Sequence, residues 1–403
     1  MARRKGGTLV TVSTRSVTGL CKPKPREDRP ERPKKRGLIP FFIPHLGCPQ
    51  ICSFCNQHRI AKEEVLDSRT SQELPRSLPS AQDVKATIEE YIGSGRADKF
   101  WEVAFYGGSF SAIPRAWQEA VLAPAYEALL EGKIDGIRCS TRPDALALED
   151  IDFLLEHGVT TVEIGVQSMD NQILQMANRG HNRQDVIDAV GRLKEKGMTI
   201  GLQIMPGLAG ETWTSLVETA VAIKDLQPDF VRIYPVLVIE NTDLADAYRA
   251  GDYQALTLDQ AVAYGAFLKD YWEAAGIEVI RTGLQATREL DQGRGLVAGP
   301  YHPSFGELVE NKRWRDRIQS LMDDVLAHLL VNKQNGLGYP LQNGLEEPLE
   351  IHVSYPLTMT SQIKGLKSAN AVYFESTYPN FNWSWKGDGT RVTIRVGKLI
   401  FVL

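Results

Sequence analysis

The amino-acid sequence predicts an α/β protein, a partial (β/α)6 TIM-like barrel with a small C-terminal α+β domain. Three observations carry that reading. Six short, mostly apolar segments, over 38–43, 100–106, 136–140, 161–166, 199–205 and 230–234, have the composition of buried strands, and helical stretches at 82–93, 115–131, 149–156, 184–196 and 212–225 lie between them. Strands joined by helices imply right-handed crossovers and a parallel sheet. The residues least expected in a plain core (cysteines, paired glycines, arginines and amides) fall directly after the strands, where parallel α/β folds build their sites.

Ahead of the first strand, residues 1–36 hold twelve Lys/Arg against three Asp/Glu, a net of +9, which leaves −13 for the rest of a chain whose overall charge is −4. With Pro23, Pro25, Pro30 and Pro33 and no apolar periodicity beyond 8–12, this basic tail is expected to be disordered. Such a block would attract phosphates by releasing their counterions, although a start-site extension without a role is the simpler reading. The tail lacks the apolar core of a signal peptide, and no run approaches the roughly 18 apolar residues of a membrane span. At 403 residues, 43% hydrophobic and 24% charged, the chain can bury one large core or two ordinary ones, and a soluble, cytoplasmic protein is expected. Five cysteines suit a reducing compartment: Cys21 in the tail, Cys139 as a core thiol in a strand, and three together.

Those three follow the first strand, in Cys48-Pro49-Gln50-Ile51-Cys52-Ser53-Phe54-Cys55. Iron–sulfur clusters normally take four thiolates, one per iron, so three closely spaced cysteines suggest a 4Fe-4S cluster with one iron left for a substrate or cofactor. Zinc needs a fourth protein ligand, which His45 or His58 could supply, and a disulfide would leave one thiol over.

After the second strand comes Tyr106-Gly107-Gly108-Ser109, where paired glycines let backbone groups approach a ligand. After the third comes Ser140-Thr141-Arg142-Pro143-Asp144, in which Arg142 has an ordinary explanation as the ion-pair partner of Asp144 or Asp135. After the fourth comes Glu163-Ile164-Gly165-Val166-Gln167-Ser168, then Asn178-Arg179-Gly180-His181, where the histidine reads best as a satisfied loop residue. In Leu202-Gln203-Ile204-Met205-Pro206-Gly207-Leu208 a polar residue interrupts an apolar strand, so Gln203 must find a partner in the core or on a ligand.

These motifs, in this order, resemble the radical S-adenosylmethionine core shared by the catalytic subunit of the Elongator complex and the oxygen-independent coproporphyrinogen oxidases, over about residues 37–253. The segment Arg232-Ile233-Tyr234-Pro235-Val236-Leu237-Val238-Ile239, followed by Asn241-Thr242-Asp243-Leu244, is nearer to Elongator. The resemblance implies that Cys48, Cys52 and Cys55 ligate three irons of a 4Fe-4S cluster and that S-adenosyl-L-methionine chelates the fourth. It implies that Gly107, Gly108 and Ser109 receive the methionine amino group and that Arg179, with Gln167, holds the carboxylate side, a task an arginine fork suits. Gln203 stands where relatives often have an acid contacting the ribose, and Ser140 where they have a glutamate; both departures remove charge and keep hydrogen-bonding capacity. A 5′-deoxyadenosyl radical made from the cofactor would abstract a substrate hydrogen, with electrons from a donor such as flavodoxin or ferredoxin; the motifs name no catalytic residue beyond the cofactor's. The first cysteine gap is narrower than Elongator's, and the chain ends near where the Elongator acetyltransferase domain would begin, so that reaction is not carried over.

Residues 240–310 read as a continuation of the barrel, so that it spans 37–310, with a helix over 257–275, a strand over 277–281 and a glycine-rich stretch at 283–303. A helix over 308–331 places Trp314, Ile318, Leu321, Val325 and Leu329 roughly on one face and belongs, with an Asn/Gly/Pro-rich linker, to a 311–348 segment. The 349–403 domain is expected to hold a strand over 349–353, a helix over 360–375 and a hairpin of 381–385 with 391–396, turning at Gly387-Asp388-Gly389. Around Gly365-Leu366-Lys367-Ser368 this outline resembles the KH fold, whose GXXG loop clamps a nucleic-acid backbone, although the second glycine is missing and a plain packing domain competes with that reading. The expectation is therefore a radical S-adenosylmethionine enzyme with RNA, in particular tRNA, as substrate. A small-molecule or porphyrin-related substrate, or a zinc-stabilised RNA-binding protein, are the alternatives.

Overall fold

The computed structural model describes residues 36–43, 48, 51–56, 78–94, 99–285, 288–334, 349–397 and 399–403. The basic tail, Cys21, His45, His58 and 335–348 lie outside the described residues. Among the described residues, one compact unit ends at Pro303 and a second comprises Ser304–Leu403.

The first unit is built on one seven-stranded parallel sheet that curls into a half-barrel. Its strands are β1 (Arg36–Phe42), β2 (Phe100–Tyr106), β3 (Gly136–Thr141), β4 (Val159–Gln167), β5 (Thr199–Ile204) and β6 (Phe230–Ile233), in that spatial order. The expected six-strand set is extended by a seventh, Glu278–Thr282, which pairs with β6 in parallel. Successive strands are linked by α1 (Ala81–Gly93), α2 (Arg115–Leu130), α3 (Leu148–Glu156), α4 (Asn171–Met176), α5 (Arg183–Glu195) and α6 (Trp213–Leu226), with α7 (Asp243–Ala250) and α8 (Leu258–Ala274) before the last strand. Many start at side-chain caps that satisfy first-turn amides, such as Ser80 on α1, Asn182 on α5 and Thr212 on α6.

Alternation along the strands decides what faces what. Val103, Phe105, Ile137, Cys139, Val162, Ile164, Ile200, Leu202, Val231 and Ile233 pack outward against helix residues such as Val121, Leu122, Leu154, Val190 and Leu216, forming the main core. The opposite face, toward the lumen, takes Glu102, Tyr106, Arg138, Ser140, Glu163, Gln203 and Arg232. Between 283 and 303, where an irregular stretch was expected, Leu296–Ala298 pairs antiparallel with Val238–Ile239.

In the second unit, α9 (Phe305–Gln334) buries Trp314, Ile318, Leu321, Met322 and Val325 against Ile351, Val353, Phe374 and Ile394. That helix packs as part of the unit's core, because its apolar stripe finds cover on the sheet that follows. The sheet holds β7 (Leu349–Ser354), β8 (Phe381–Lys386), β9 (Thr393–Val396) and β10 (Leu399–Val402), in spatial order β8-β7-β9-β10. Two expectations are corrected here. β8 and β9 do not form a hairpin: β7 lies between them, parallel to β8 and antiparallel to β9, and the hairpin is β9 with β10. The glycine turn instead wraps the end of β7, where Gly389 N donates to Tyr355 O and Tyr355 N to Lys386 O, both at 3.0 Å. The expected helix over 360–375 is broken into α10 (Thr360–Lys364) and α11 (Ala369–Thr377), because Gly365, Lys367 and Ser368 all take positive φ.

Candidate active site

The cysteine segment is docked by neighbours rather than by secondary structure of its own. Ser53 N donates to Ala177 O at 3.0 Å, Asn178 Nδ2 to Ile51 O at 2.7 Å, and Leu244 N to Ser53 O at 2.8 Å. Buried Asn56 bonds to the Glu240 carbonyl, and Phe54 packs on a cluster containing Ile173, Leu208, Val236 and Leu244. The ends of α4 and α7 therefore hold the loop that carries Cys48, Cys52 and Cys55. No disulfide joins the described cysteines. Burial, reinforced by the neighbouring thiols Cys52 and Cys48, pushes the Cys55 thiol up to about 12. Among the described residues no three of His, Cys, Asp or Glu gather tightly enough to cage a single metal ion.

Of the expected cofactor residues, Ser109 and Arg179 reach this loop directly. At the end of β2, Gly107 adopts φ +117°, and a Cβ there would lie 2.2 Å from the Ile43 carbonyl oxygen, so only glycine lets the two strand ends close. That turn delivers buried Ser109, whose Oγ is 3.7 Å from Cys48 Sγ. Arg179, buried after α4, donates from Nη1 to Cys52 Sγ at 3.3 Å and from Nη2 to Gly165 O at 2.7 Å, while its Nε has no hydrogen-bond partner. Gly165 leaves room for this: a Cβ would sit 2.9 Å from Gln167 Nε2 and 3.3 Å from Arg179 Nη2. Gln167 takes φ +69° at a register shift in β4, and its Oε1 accepts from Gln203 Nε2 at 3.3 Å. Ser140 lies on the lumen face, paired in register with Glu163.

Of the two acids expected as its ion-pair partner, Arg142 takes Asp144, in a bidentate contact at 2.9 and 2.7 Å, and keeps a buried Nη1 with no partner among the described residues. His181 is 6% exposed; burial, then the Arg179 charge, lowers it to about 3, so the ring is neutral. Its Nε2 lies 3.2 Å from Val166 O, which can only accept, so Nε2 carries the proton and Nδ1 is left as an unpartnered acceptor. A cleft of about 640 Å³ beside this loop is lined by Asn171, Gln175, Asn178, Gly180, His181 and Asn182. Asn171 and Asn182 already accept backbone amides around the start of α5, so we regard it as a surface groove around that cap.

Sequence reasoning missed a second group on the lumen wall. Glu163 Oε1 accepts from Tyr106 Oη at 2.9 Å, Arg138 Nη1 at 3.0 Å and Arg232 Nη2 at 2.9 Å. Arg138 also pairs with Glu102, and Arg232 donates to the hydroxyls of Tyr106 at 2.8 Å and Tyr234 at 2.9 Å. Burial and then Glu163 raise the Tyr106 phenol well above its ordinary value, so it stays protonated. The available signal was the one noticed at Gln203: Glu102, Arg138, Glu163 and Arg232 each interrupt an apolar strand.

Comparisons with known proteins bear on the family. Residues 42–223 match the Radical SAM superfamily, and residues 228–315 match the Radical_SAM C-terminal domain. A tRNA uridine(34) acetyltransferase from Methanocaldococcus infernus is 30% identical over 248 residues, covering 56% of this chain and 45% of that protein. Elongator complex protein 3 of Saccharomyces cerevisiae is 26% identical over 201 residues, 45% of this chain and 36% of that protein. Among solved structures, an N-terminally truncated archaeal Elp3 from Methanocaldococcus infernus aligns over 58% of each chain with a TM-score of 0.49 and 26% identity. The chain thus spans less than half the length of these two curated relatives.

Proposed function

The chain belongs to the radical SAM superfamily, and from that premise we propose that it binds a 4Fe-4S cluster and S-adenosyl-L-methionine between Cys48 and Gln203 and uses them to modify tRNA. The observation that carries the cofactor half is the convergence of a buried arginine and a buried serine on the thiols: Arg179 on Cys52 and Ser109 beside Cys48. The residues fit the cofactors. The loop carries three thiols, and Arg142 Nη1, Arg179 Nε and His181 Nδ1 are buried polar atoms with no hydrogen-bond partner among the described residues. A 4Fe-4S cluster would take one thiolate per iron, so its thiols would bind different irons instead of crowding one ion.

In this reading Cys48, Cys52 and Cys55 hold the cluster, and Gly107, Gly108 and Ser109 receive the amino group of the cofactor. Arg179 and Gln167 hold its carboxylate side, and Gln203 and Ser140 line the path toward the ribose. Bound together, the cluster and S-adenosyl-L-methionine supply a 5′-deoxyadenosyl radical for hydrogen abstraction. The protein's own part is to orient the cofactor, anchor the loop by packing Phe54 on its apolar cluster, and keep His181 neutral so that it adds no charge beside Arg179. Electrons would come from a small carrier such as flavodoxin or ferredoxin.

The tRNA half rests on the relatives, one of which is named as acting on uridine 34 of tRNA. The basic tail, with its excess of nine positive charges, offers phosphate attraction, and we assign 349–403, with Lys364 and Lys367 around the Gly365 turn, a supporting role on the RNA backbone. Bulk tRNA should bind in a salt-sensitive way, bind more weakly after deletion of 1–36 or 349–403, and stimulate 5′-deoxyadenosine formation. A protein that cleaves the cofactor yet neither binds tRNA at low salt nor responds to it has a small-molecule substrate instead.

A further inference from the structure

Resting on the tRNA reading, we infer that Tyr234 is a substrate-contacting residue whose hydroxyl donates a hydrogen bond to an uncharged carbonyl oxygen of the substrate at the C-terminal rim of the lumen. The first reason is the lumen itself. A closed barrel of this class fills its interior with layers of branched apolar side chains. Here the inner face carries Glu102, Arg138, Glu163, Arg232 and two tyrosines, so it is built to meet something polar. Stability does not demand such a set, because replacing a buried ion network by apolar residues is often neutral or stabilising.

The second reason is charge. Glu102 and Glu163 balance Arg138 and Arg232, so the wall offers no net charge to an ionic group. The third is the fate of each phenol proton. Tyr106 gives its proton to Glu163 while its oxygen accepts from Arg232. The Tyr234 oxygen also accepts from Arg232, but its own proton finds no acceptor among the described residues. A phenol whose oxygen is held by a guanidinium is a strengthened donor, and on a wall whose charges already balance the acceptor it meets need carry no charge. Its place is right as well. Arg232 pairs in register with Gln203, and Tyr234 N donates to Ile204 O at 2.9 Å, so Tyr234 stands at the C-terminal rim beside the cofactor residues. Tyr234 is half-buried, with part of its surface still accessible.

The test compares Tyr234→Phe with Tyr106→Phe, scored by the response ratio: 5′-deoxyadenosine formed with bulk tRNA over that formed without it. If the network is only structural, Tyr106→Phe must do more harm, since it removes two hydrogen bonds and Tyr234→Phe removes one. The inference predicts the reverse: Tyr234→Phe lowers the response about five- to tenfold, the effect of one lost hydrogen bond, while its melting temperature falls less than that of Tyr106→Phe. An unchanged response in Tyr234→Phe, or an equal loss in both phenylalanine variants, overturns the inference alone. A wild-type protein that cleaves the cofactor but ignores tRNA overturns the tRNA reading and this inference together.

Discussion

Removing the cation at the centre of the lumen wall should destabilise the barrel unit heavily. Arg138 has 3% of its side chain exposed, Glu102 5% and Glu163 6%, so Arg138→Met would leave two carboxylates facing each other's surroundings without water. Breaking a buried pair by deleting one partner costs about 3–5 kcal/mol, because the remaining charge is stranded. Glu163 keeps Arg232 and Tyr106, which argues for the lower half of that range; Glu102 has no other ion-pair partner among the described residues, which argues against a much smaller value. At about 2–4 °C per kcal/mol for a unit of this size, the melting temperature should fall by about 6–15 °C. Urea unfolding followed by circular dichroism at neutral pH reads the same quantity as a shift in midpoint. A loss below about 1 kcal/mol would mean that the wall is hydrated or relaxes freely, and the reasoning from burial would be wrong.

Three further outcomes are expected. Arg179→Ala should weaken S-adenosyl-L-methionine binding about 10- to 150-fold, from the loss of about 1.5–3 kcal/mol of charge-assisted hydrogen bonding, with iron content retained; unchanged affinity in calorimetry would make Arg179 a structural residue. Burial pushes Glu211 up to about 8, opposed by the hydrogen bond it accepts from Gly207 N. A raised carboxyl means that the folded chain holds a proton the unfolded chain has lost, so its contribution to stability is complete below the ordinary carboxyl range and disappears as pH rises toward 8. Glu211→Gln should therefore flatten the fall of melting temperature between pH 5 and 8, and an identical slope in both proteins would contradict that assignment. Gly365 sits at φ +80°, ψ 160°, a region open essentially to glycine, with a built Cβ 2.8 Å from Asn370 N. Gly365→Ala should cost the second unit about 1–3 kcal/mol, and a melting curve unchanged from wild type would show that the turn relaxes freely.

The barrel strands were legible because burial on the outer face leaves near-continuous apolar runs, and the cysteine loop because spacing alone limits what three thiols can do. The lumen wall was not, since Glu102, Arg138, Glu163 and Arg232 are far apart in sequence and only strand register brings them together. The 381–396 hairpin failed for a related reason. Gly387-Asp388-Gly389 is a sound turn signal, yet a turn says where the chain bends and not which strand fills the space beyond it; here β7 does, with Ser354 Oγ donating to Asp388 at 2.7 Å. The helix over 360–375 has helical composition throughout except at Gly365, and what breaks it is tertiary. Buried Asn370 donates to the carbonyls of Asn311 and Ile363, and Asn311, with its amide oriented to accept from Leu366 N, holds the strained turn from α9.

The central claim is that three thiolates hold a cluster at which the cofactor is cleaved. After anaerobic reconstitution with iron and sulfide, the wild-type protein should contain one 4Fe-4S cluster and convert S-adenosyl-L-methionine to 5′-deoxyadenosine under reduction. Cys48→Ala, Cys52→Ala and Cys55→Ala should each lose both properties, while Cys139→Ala, a fully buried core thiol in β3, should keep them. A fully loaded, active cluster in the Cys52→Ala protein would contradict the account.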